Sequence, residues 1–302
     1  MSTLRIGSRG SDLALWQAHH VRDGLTRNAE IEVIKTEGDA IQHLTLDKVE
    51  GKGFFTKEIE KALLDRQVDI AVHSYKDLPT EDVPGLAIIA VPERAPVRDT
   101  LVHRRDRRSA SERWGLTEGA RVGTSSLRRK AALLSLRRDL QLVDIRGNVP
   151  TRLGRVQSGE LDAVILAEAG LRRLGLFDHD PDLEFTPLDV ADMTPAPAQG
   201  ALAIQSREGD RQAIDAASAL HDAATATAVD LERALLARFG GGCHLPLGAH
   251  ATSTGEQLRL VALVAAPEGS ERLLAEAEGT DSATVCQRVH TQLMDQGADR
   301  FL

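Results

Sequence analysis

The chain has 302 residues, 42% of them hydrophobic and 27% charged, a balance that fits a soluble globular protein of two or three domains. No apolar stretch approaches the roughly 18 residues that a bilayer span needs, and the opening MSTLRIGSRG has no basic start followed by an apolar run. A cytoplasmic protein without a membrane partner is therefore expected. Cys243 and Cys286 lie more than forty positions apart with no CxxC or Cys/His cluster, which excludes a disulfide framework and a zinc finger. A net charge of −8 argues against general nucleic-acid binding, yet the stretch from Arg94 to Arg173 carries 18 Lys or Arg against 9 Asp or Glu.

Short apolar runs alternate with helical patterns over the first two-thirds of the chain, as in βαβ units feeding a parallel sheet. LRIGS predicts a strand, and SDLALWQAHHVRDGL a helix with Leu13, Trp16, His20 and Leu25 near one face. IEVIKTEG predicts a second strand. FTKEIEKALLDRQ, with Ile59, Leu63 and Leu64 in helical register, leads into VDIAVHSYKD, a strand ending in a polar cluster where open α/β sheets keep their ligands. After VPERAPVRDT the grammar repeats through RVGTSSLRRK, QLVDIRGN, TRLGR and LDAVILAEAGLRRLG, which predicts a second lobe. PLDVADMTPAPAQGALAIQ is expected to cross back into the first lobe, so that two crossings frame a hinged cleft. From about residue 220 a helix, the RFGGGCHLPLG loop, consecutive strands and a closing helix predict a small C-terminal α+β domain. The expected boundaries are 1–95 with a return segment at about 197–217, then 96–196, then 218–302.

GTSSLRRK is a small-residue turn opening a helix. Its N–H groups and the hydroxyls of Thr124, Ser125 and Ser126 can meet an anion while Arg128 and Arg129 add charge. An ordinary N-cap with exposed arginines is the alternative. Arg146 and Arg152 follow a strand and start a helix, and several guanidiniums converging on one cleft imply a ligand with several carboxylates or phosphates. His73, Ser74, Lys76 and Asp77 end a strand. Asp77 in such a cleft is a strong local anion suited to stabilising a cation or moving a proton, whereas a plain Lys76–Asp77 surface pair is the competing reading. Lys52 with Phe54 and Phe55 predicts either a lid or a simple helix entry. Three glycines before Cys243 strip bulk from the backbone and let something large approach.

Eight ordered blocks, LRIGSRGSDLALWQA, VEGKGFFTKE, DIAVHSYKDLP, VGTSSLRRKA, DIRGNVPTRL, DAVILAEAGLRRLG, PAPAQGALAI and GGCHLPLGA, run nearly end to end and resemble the porphobilinogen deaminases, or hydroxymethylbilane synthases. The chain departs from many members in having PAPAQGA where they carry a valine-glycine pair before the glutamine. The resemblance implies an α/β fold of two doubly wound lobes like those of periplasmic binding proteins, plus the small third domain. It also implies a monomer that needs no metal. It implies a dipyrromethane cofactor attached through a thioether at Cys243, with Ser74, Lys76, Asp77, Thr124, Ser126, Arg128, Arg129, Arg146 and Arg152 as cofactor-binding residues. Substrate carboxylates fall to Arg9, Ser11, Arg146, Arg152, Arg173 and Gln199, and catalysis to Asp77, Lys76 and Arg9, with Arg5 a marginal addition. The implied reaction deaminates four porphobilinogen molecules, joins them head to tail and releases hydroxymethylbilane.

Two other readings compete. A two-lobed solute-binding protein for a polyanion shares the cleft but has no use for a glycine-flanked cysteine. A cysteine-nucleophile acyl transferase needs a base, for which adjacent His244 offers only sequence proximity. Cys286, in the amphipathic ATVCQRVHTQL, is expected to be structural.

Overall fold

The computed structural model describes residues 3–36, 56–242 and 245–301. Strands β1 (Leu4–Ser8), β2 (Ala29–Val33), β3 (Ile70–Ser74) and β4 (Leu86–Ala90) form one sheet with β10 (Leu202–Arg207), in the order β2-β1-β3-β10-β4. A second sheet joins β5 (Asp99–Arg104), β6 (Arg121–Gly123), β7 (Gln141–Val143), β8 (Ala163–Ala167) and β9 (Leu183–Pro187) in the order β7-β6-β8-β5-β9. In each, three parallel strands are followed by one antiparallel strand, β10 in the first sheet and β5 in the second. The chain thus crosses between lobes at 91–98 and returns at 188–201. The third sheet is the meander β11 (Leu247–Thr254), β12 (Gln257–Ala265) and β13 (Arg272–Gly279). It is covered by α7 (Ala223–Arg238) and α8 (Ser282–Asp295), against which Cys286 is buried in an apolar core.

The crossover helices are α1 (Asp12–Gly24), α2 (Lys57–Leu64), α3 (Leu127–Leu136), α4 (Val149–Gln157), α5 (Glu168–Arg173) and α6 (Arg211–Ala217). Four of the six start at side-chain caps: Ser11, Ser126, Asn148 and Asp210 each accept the N–H three residues on, whereas α2 and α5 start without one. Because helices lie on both faces, Ile70 to His73 of β3 are all buried and the strand does not alternate.

Two helical faces differ from expectation. In α1 the core takes Gln17, Ala18 and Val21, while Trp16 and His20 stack on each other at the surface. The face bearing Leu13 and Trp16 instead meets the other lobe, where a Cβ on Gly170 would lie 3.7 Å from Leu13 and the Arg173 guanidinium sits 5.7 Å from the Trp16 ring. In α2, Ile59 and Leu63 are buried but Leu64 is exposed, since only one stripe of so short a helix reaches the sheet.

All three units meet at one buried ion pair. The Arg94 guanidinium, in the outgoing crossing, binds both carboxylate oxygens of Glu232 on α7 at 2.8 Å. Glu232 also accepts the N–H groups of Ala198, in the return crossing, and Ala251, in β11, each at 2.7 Å. Arg94 Nε donates to the Gln199 carbonyl at 2.9 Å. Ala198 holds a left-handed φ of 63°, and Gly200 beside it a φ of 88° with space so tight that a Cβ would lie 2.5 Å from the Ala95 carbonyl.

These two positions have opposite tolerances. Ala198→Gly relieves a left-handed strain of about 1–2 kcal/mol but loses a buried methyl and gains unfolded-state freedom of similar total size, so the variant should unfold close to wild type. Gly200→Ala meets both the strain and the carbonyl and should lose about 2 kcal/mol or more in urea unfolding. Equal effects of the two substitutions would contradict this geometry.

Candidate active-site cleft

β3 delivers a polar turn at its carboxyl end. The single 3₁₀ turn Tyr75–Asp77 leaves carbonyls that the helix does not satisfy, and Arg233 of α7 fills that need. Its guanidinium donates to the carbonyls of Tyr75, Leu78 and Pro79 at 3.4, 3.0 and 2.6 Å and lies over the Tyr75 ring at 4.4 Å. Lys76 and Asp77 make no ion pair with each other among the described residues; they diverge. Asp77 is exposed on a cavity lined by Arg9, Ser11, Gln17, His73 and Ser74. Gln17 Nε2 donates to Ser74 Oγ at 2.8 Å, so Ser74 is fixed across the cavity floor.

Lys76 turns the other way. Its Nζ donates to Gln199 Oε1 at 3.2 Å, and Gln199 Nε2 donates to Asp99 Oδ1 at 2.9 Å and to the Val97 carbonyl at 2.8 Å. Asp99, wholly buried at the head of β5, binds Arg129 through Nη2 at 2.7 Å and Arg128 at 2.8 Å. Arg128 further donates to the Thr194 carbonyl at 2.7 Å and Arg129 to the Ile165 carbonyl at 3.0 Å. Burial opposes ionisation of Asp99, but Arg128 and Arg129 hold its carboxyl well below the usual carboxylate range. Burial pulls the Lys76 ammonium down to about 8, with Arg129 and Arg128 adding to the effect and Asp77 and Asp99 opposing it.

The remaining arginines gather around this network. Arg152, anchored by Nε to the Gly147 carbonyl at 2.8 Å, is lowered to about 10 by burial and by Arg129 and Arg146. Arg173 donates to the Gly200 carbonyl at 2.7 Å, and burial lowers it to about 10 as well. Among the described residues none of Arg146, Arg152 and Arg173 has a carboxylate in ion-pair range. A cleft with cations in excess of acids fits a ligand bearing several carboxylates.

Most of the expected residues therefore converge, with differences of role. Arg128 and Arg129 point inward onto Asp99 instead of standing free at the helix start. The Thr124 and Ser126 hydroxyls accept N–H groups within the turn, Thr124 Oγ1 from Ser126 at 3.3 Å and Ser126 Oγ from Arg129 at 3.5 Å, and each keeps its O–H as a donor. Arg5 does not join the site: it sits near the amino end of β1, opposite the cleft, and is bound to Asp69 and to the Arg66 carbonyl. Lys52, Phe54, Phe55, Cys243 and His244 lie outside the described residues. Before the cysteine, Gly240, Gly241 and Gly242 hold φ values of 85°, 62° and 133°. Gly241 approaches Thr80 so closely that a Cβ would fall 2.2 Å from its Oγ1. The sequence reading missed Asp99, Arg94, Glu232 and Arg233. The signal for Asp99 was an acid heading the apolar run TLVH straight after a crossing.

The model of porphobilinogen deaminase, dipyromethane cofactor binding domain, matches residues 4–215, and that of the porphobilinogen deaminase C-terminal domain matches residues 226–295. The chain is 46% identical to porphobilinogen deaminase of Syntrophotalea carbinolica across its whole length and 95% of the relative. It is 45% identical to that of Acidithiobacillus ferrooxidans, covering 99% of the chain and 97% of the relative. The figure for Pelobacter propionicus is 47%, covering 97% and 93%. A distant likeness in shape, TM-score 0.42 at 14% identity over 72% of this chain and 86% of the other, is to the periplasmic VFT2 domain of BvgS from Bordetella pertussis. With both domain models and full-length relatives in agreement, the chain belongs to the porphobilinogen deaminase family.

Proposed function

We propose that the cleft binds a dipyrromethane through a thioether at Cys243 and adds four porphobilinogen molecules to it before hydroxymethylbilane is released. The observation that carries this reading is a set of half-buried guanidiniums, Arg146, Arg152 and Arg173, that have no carboxylate in ion-pair range among the described residues and lie beside the buried Asp99–Arg128–Arg129 network at a seam between lobes. Arg128, Arg129, Arg146 and Arg152, with Lys76, Thr124 and Ser126, hold the cofactor's carboxylates. Arg9, Ser11 and Arg173 serve the incoming substrate, and Gln199, buried and committed to Lys76, Asp99 and the Val97 carbonyl, positions the Lys76 ammonium. The bound dipyrromethane supplies a nucleophilic free pyrrole carbon. Asp77 faces the pyrrole nitrogens and stabilises positive charge that grows as ammonia departs, with Lys76 and Arg9 fixing the carboxylates on either side. The glycine run supports attachment at Cys243, because its packing on Thr80 brings the preceding backbone near the Asp77 turn. The protein acts as a cytoplasmic monomer without nucleic-acid or membrane partners; among the described residues no helix is long and apolar enough to cross a membrane.

Purified protein should be heavier by mass spectrometry than its polypeptide by one covalent dipyrrole, absent in Cys243→Ala, and should release ammonia from porphobilinogen. An unmodified mass together with full turnover would refute the attachment, and failure to release ammonia would favour a solute-binding protein. Asp77→Asn should load the cofactor yet lose about 100-fold or more in kcat, the scale of removing one preorganised electrostatic group; wild-type kcat would strip Asp77 of its role.

Lys76 gives a pH dependence. Turned toward Gln199 and the Asp99–Arg128–Arg129 network, within reach of Asp77's charge, its ammonium is charged below about pH 8 and neutral above. Affinity for porphobilinogen should therefore fall as pH rises through that value. Lys76→Arg, which stays charged, should move that alkaline limb upward; an unmoved limb would assign it elsewhere.

A further inference from the structure

The wall of the cavity opposite Arg9 carries a histidine that the reaction scheme does not use. His73, on β3, is 5% exposed and borders the cavity beside Ser74 and Asp77. Its Nε2 lies 3.0 Å from Oε1 of Gln205, a buried residue on the neighbouring strand β10. Behind Gln205 stands Glu60 of α2, 7% exposed, whose carboxylate is hydrogen-bonded by the Gln205 side chain and by Thr56.

The order of these three residues fixes a proton. Burial pushes the Glu60 carboxyl above its ordinary value, and the hydrogen bonds from Gln205 and Thr56 oppose that shift; as a carboxylate at neutral pH it only accepts, so Gln205 turns its amide N–H2 toward Glu60. That leaves the amide oxygen facing His73, which must then carry its hydrogen on Nε2. In a neutral imidazole the second nitrogen is bare, and burial keeps the ring neutral by lowering its pKa to about 4. Nδ1 is therefore the lone-pair atom of this ring. The other polar walls of the cavity include the Arg9 guanidinium and the Asp77 carboxylate, and the Gln17 amide N–H is already given to Ser74. Porphobilinogen also brings donors, a pyrrole N–H and an ammonium, and these require acceptors.

We propose that Glu60, acting through Gln205, holds His73 as the Nε2–H tautomer, so that His73 serves as a neutral hydrogen-bond acceptor for an N–H of the aminomethylpyrrole beside Asp77. His73 becomes a substrate-binding residue, and Glu60 and Gln205 positioning residues. This rests on the reading that the cavity takes porphobilinogen. A neutral acceptor here discriminates in favour of an N–H-bearing ring without cancelling the charge of the arginines that hold carboxylates. The anionic Asp77 alone does not provide this second contact.

The tautomer is measurable without turnover. In ¹⁵N-histidine spectra of the holoenzyme at neutral pH, the His73 ring, identified by the signal missing from His73→Asn, should show a protonated Nε2 and a bare Nδ1. Glu60→Gln, whose amide can donate to the Gln205 oxygen and turn the amide over, should bring up the Nδ1–H form. In steady-state assays His73→Gln, which keeps an N–H toward Gln205 but has no δ acceptor, should raise KM for porphobilinogen about ten-fold. His73→Asn, which retains an acceptor at δ, should recover most of that loss, with cofactor mass unchanged in both. An Nδ1–H ring in the unmodified holoenzyme, or a wild-type KM in His73→Gln, overturns the proposal. The spectrum of unmodified protein decides the tautomer even if a variant fails to fold. A wild-type protein that leaves porphobilinogen unchanged refutes the functional reading instead, and does so independently of the tautomer.

Discussion

The cleft depends on one buried carboxylate. Asp99 is removed from water entirely, a state that is strongly unfavourable for a lone anion, and it persists because Arg128 and Arg129 converge on it and Gln199 donates to it. The converse matters more for function. Two guanidiniums and the Lys76 ammonium occupy the same desolvated space, and a single acid offsets only one of three positive charges. The network thereby fixes the arginines in position while leaving the cleft cationic. Fixed direction is what distinguishes this from a basic surface, where arginines sample many rotamers and bind anions weakly.

A second buried pair sets how the units meet. Glu232 accepts four hydrogen bonds, two from the Arg94 guanidinium and one each from the N–H groups of Ala198 and Ala251, so three separate parts of the chain meet on it. Arg233, the next residue on α7, holds the turn that presents Asp77. The third unit, which carries the cysteine loop in its sequence, is thus mechanically joined through adjacent residues of one helix both to the two crossings and to the turn that presents Asp77. A lengthening chain could then be accommodated by changes at the lobe seam, where α1 and α5 touch through small and aromatic side chains, without disturbing Asp77.

Architecture was legible in the sequence because alternation of strand and helix, caps and proline-rich crossings are local signals. The meander and flanking helices of the third unit were equally plain. What could not be read were the partners of charged residues. Arg128 and Arg129 look in sequence like cations at a helix start, and only the return of β5 beside β8 puts Asp99 beneath them. Trp16 and Leu13 fit an apolar face, yet that face packs on the other lobe, since helical periodicity tells which residues share a face and not what the face meets. Ala198 reads as a neutral replacement for glycine, and its left-handed backbone emerges only once both crossings are seen to be pressed together. The family resemblance supplied the roles, while the packing supplies the reasons.

A cleft built this way has a thermodynamic preference for being filled. Arg152 and Arg173 are both pulled down to about 10 by desolvation, which means that holding them charged in the folded protein costs free energy relative to water. A polycarboxylate that binds them returns that cost by pairing each charge, and anything that binds only the folded state stabilises it by mass action. The occupant that relieves the cleft most is one that never leaves, and a covalently attached polyanion satisfies this requirement where a diffusing one at low concentration does not. On the proposed attachment, carboxylates held by Arg128, Arg129 and Lys76 would orient the free end of the chain toward the cavity of Arg9 and Asp77. On that proposal, the same excess of positive charge that penalises the empty cleft positions each new ring for reaction.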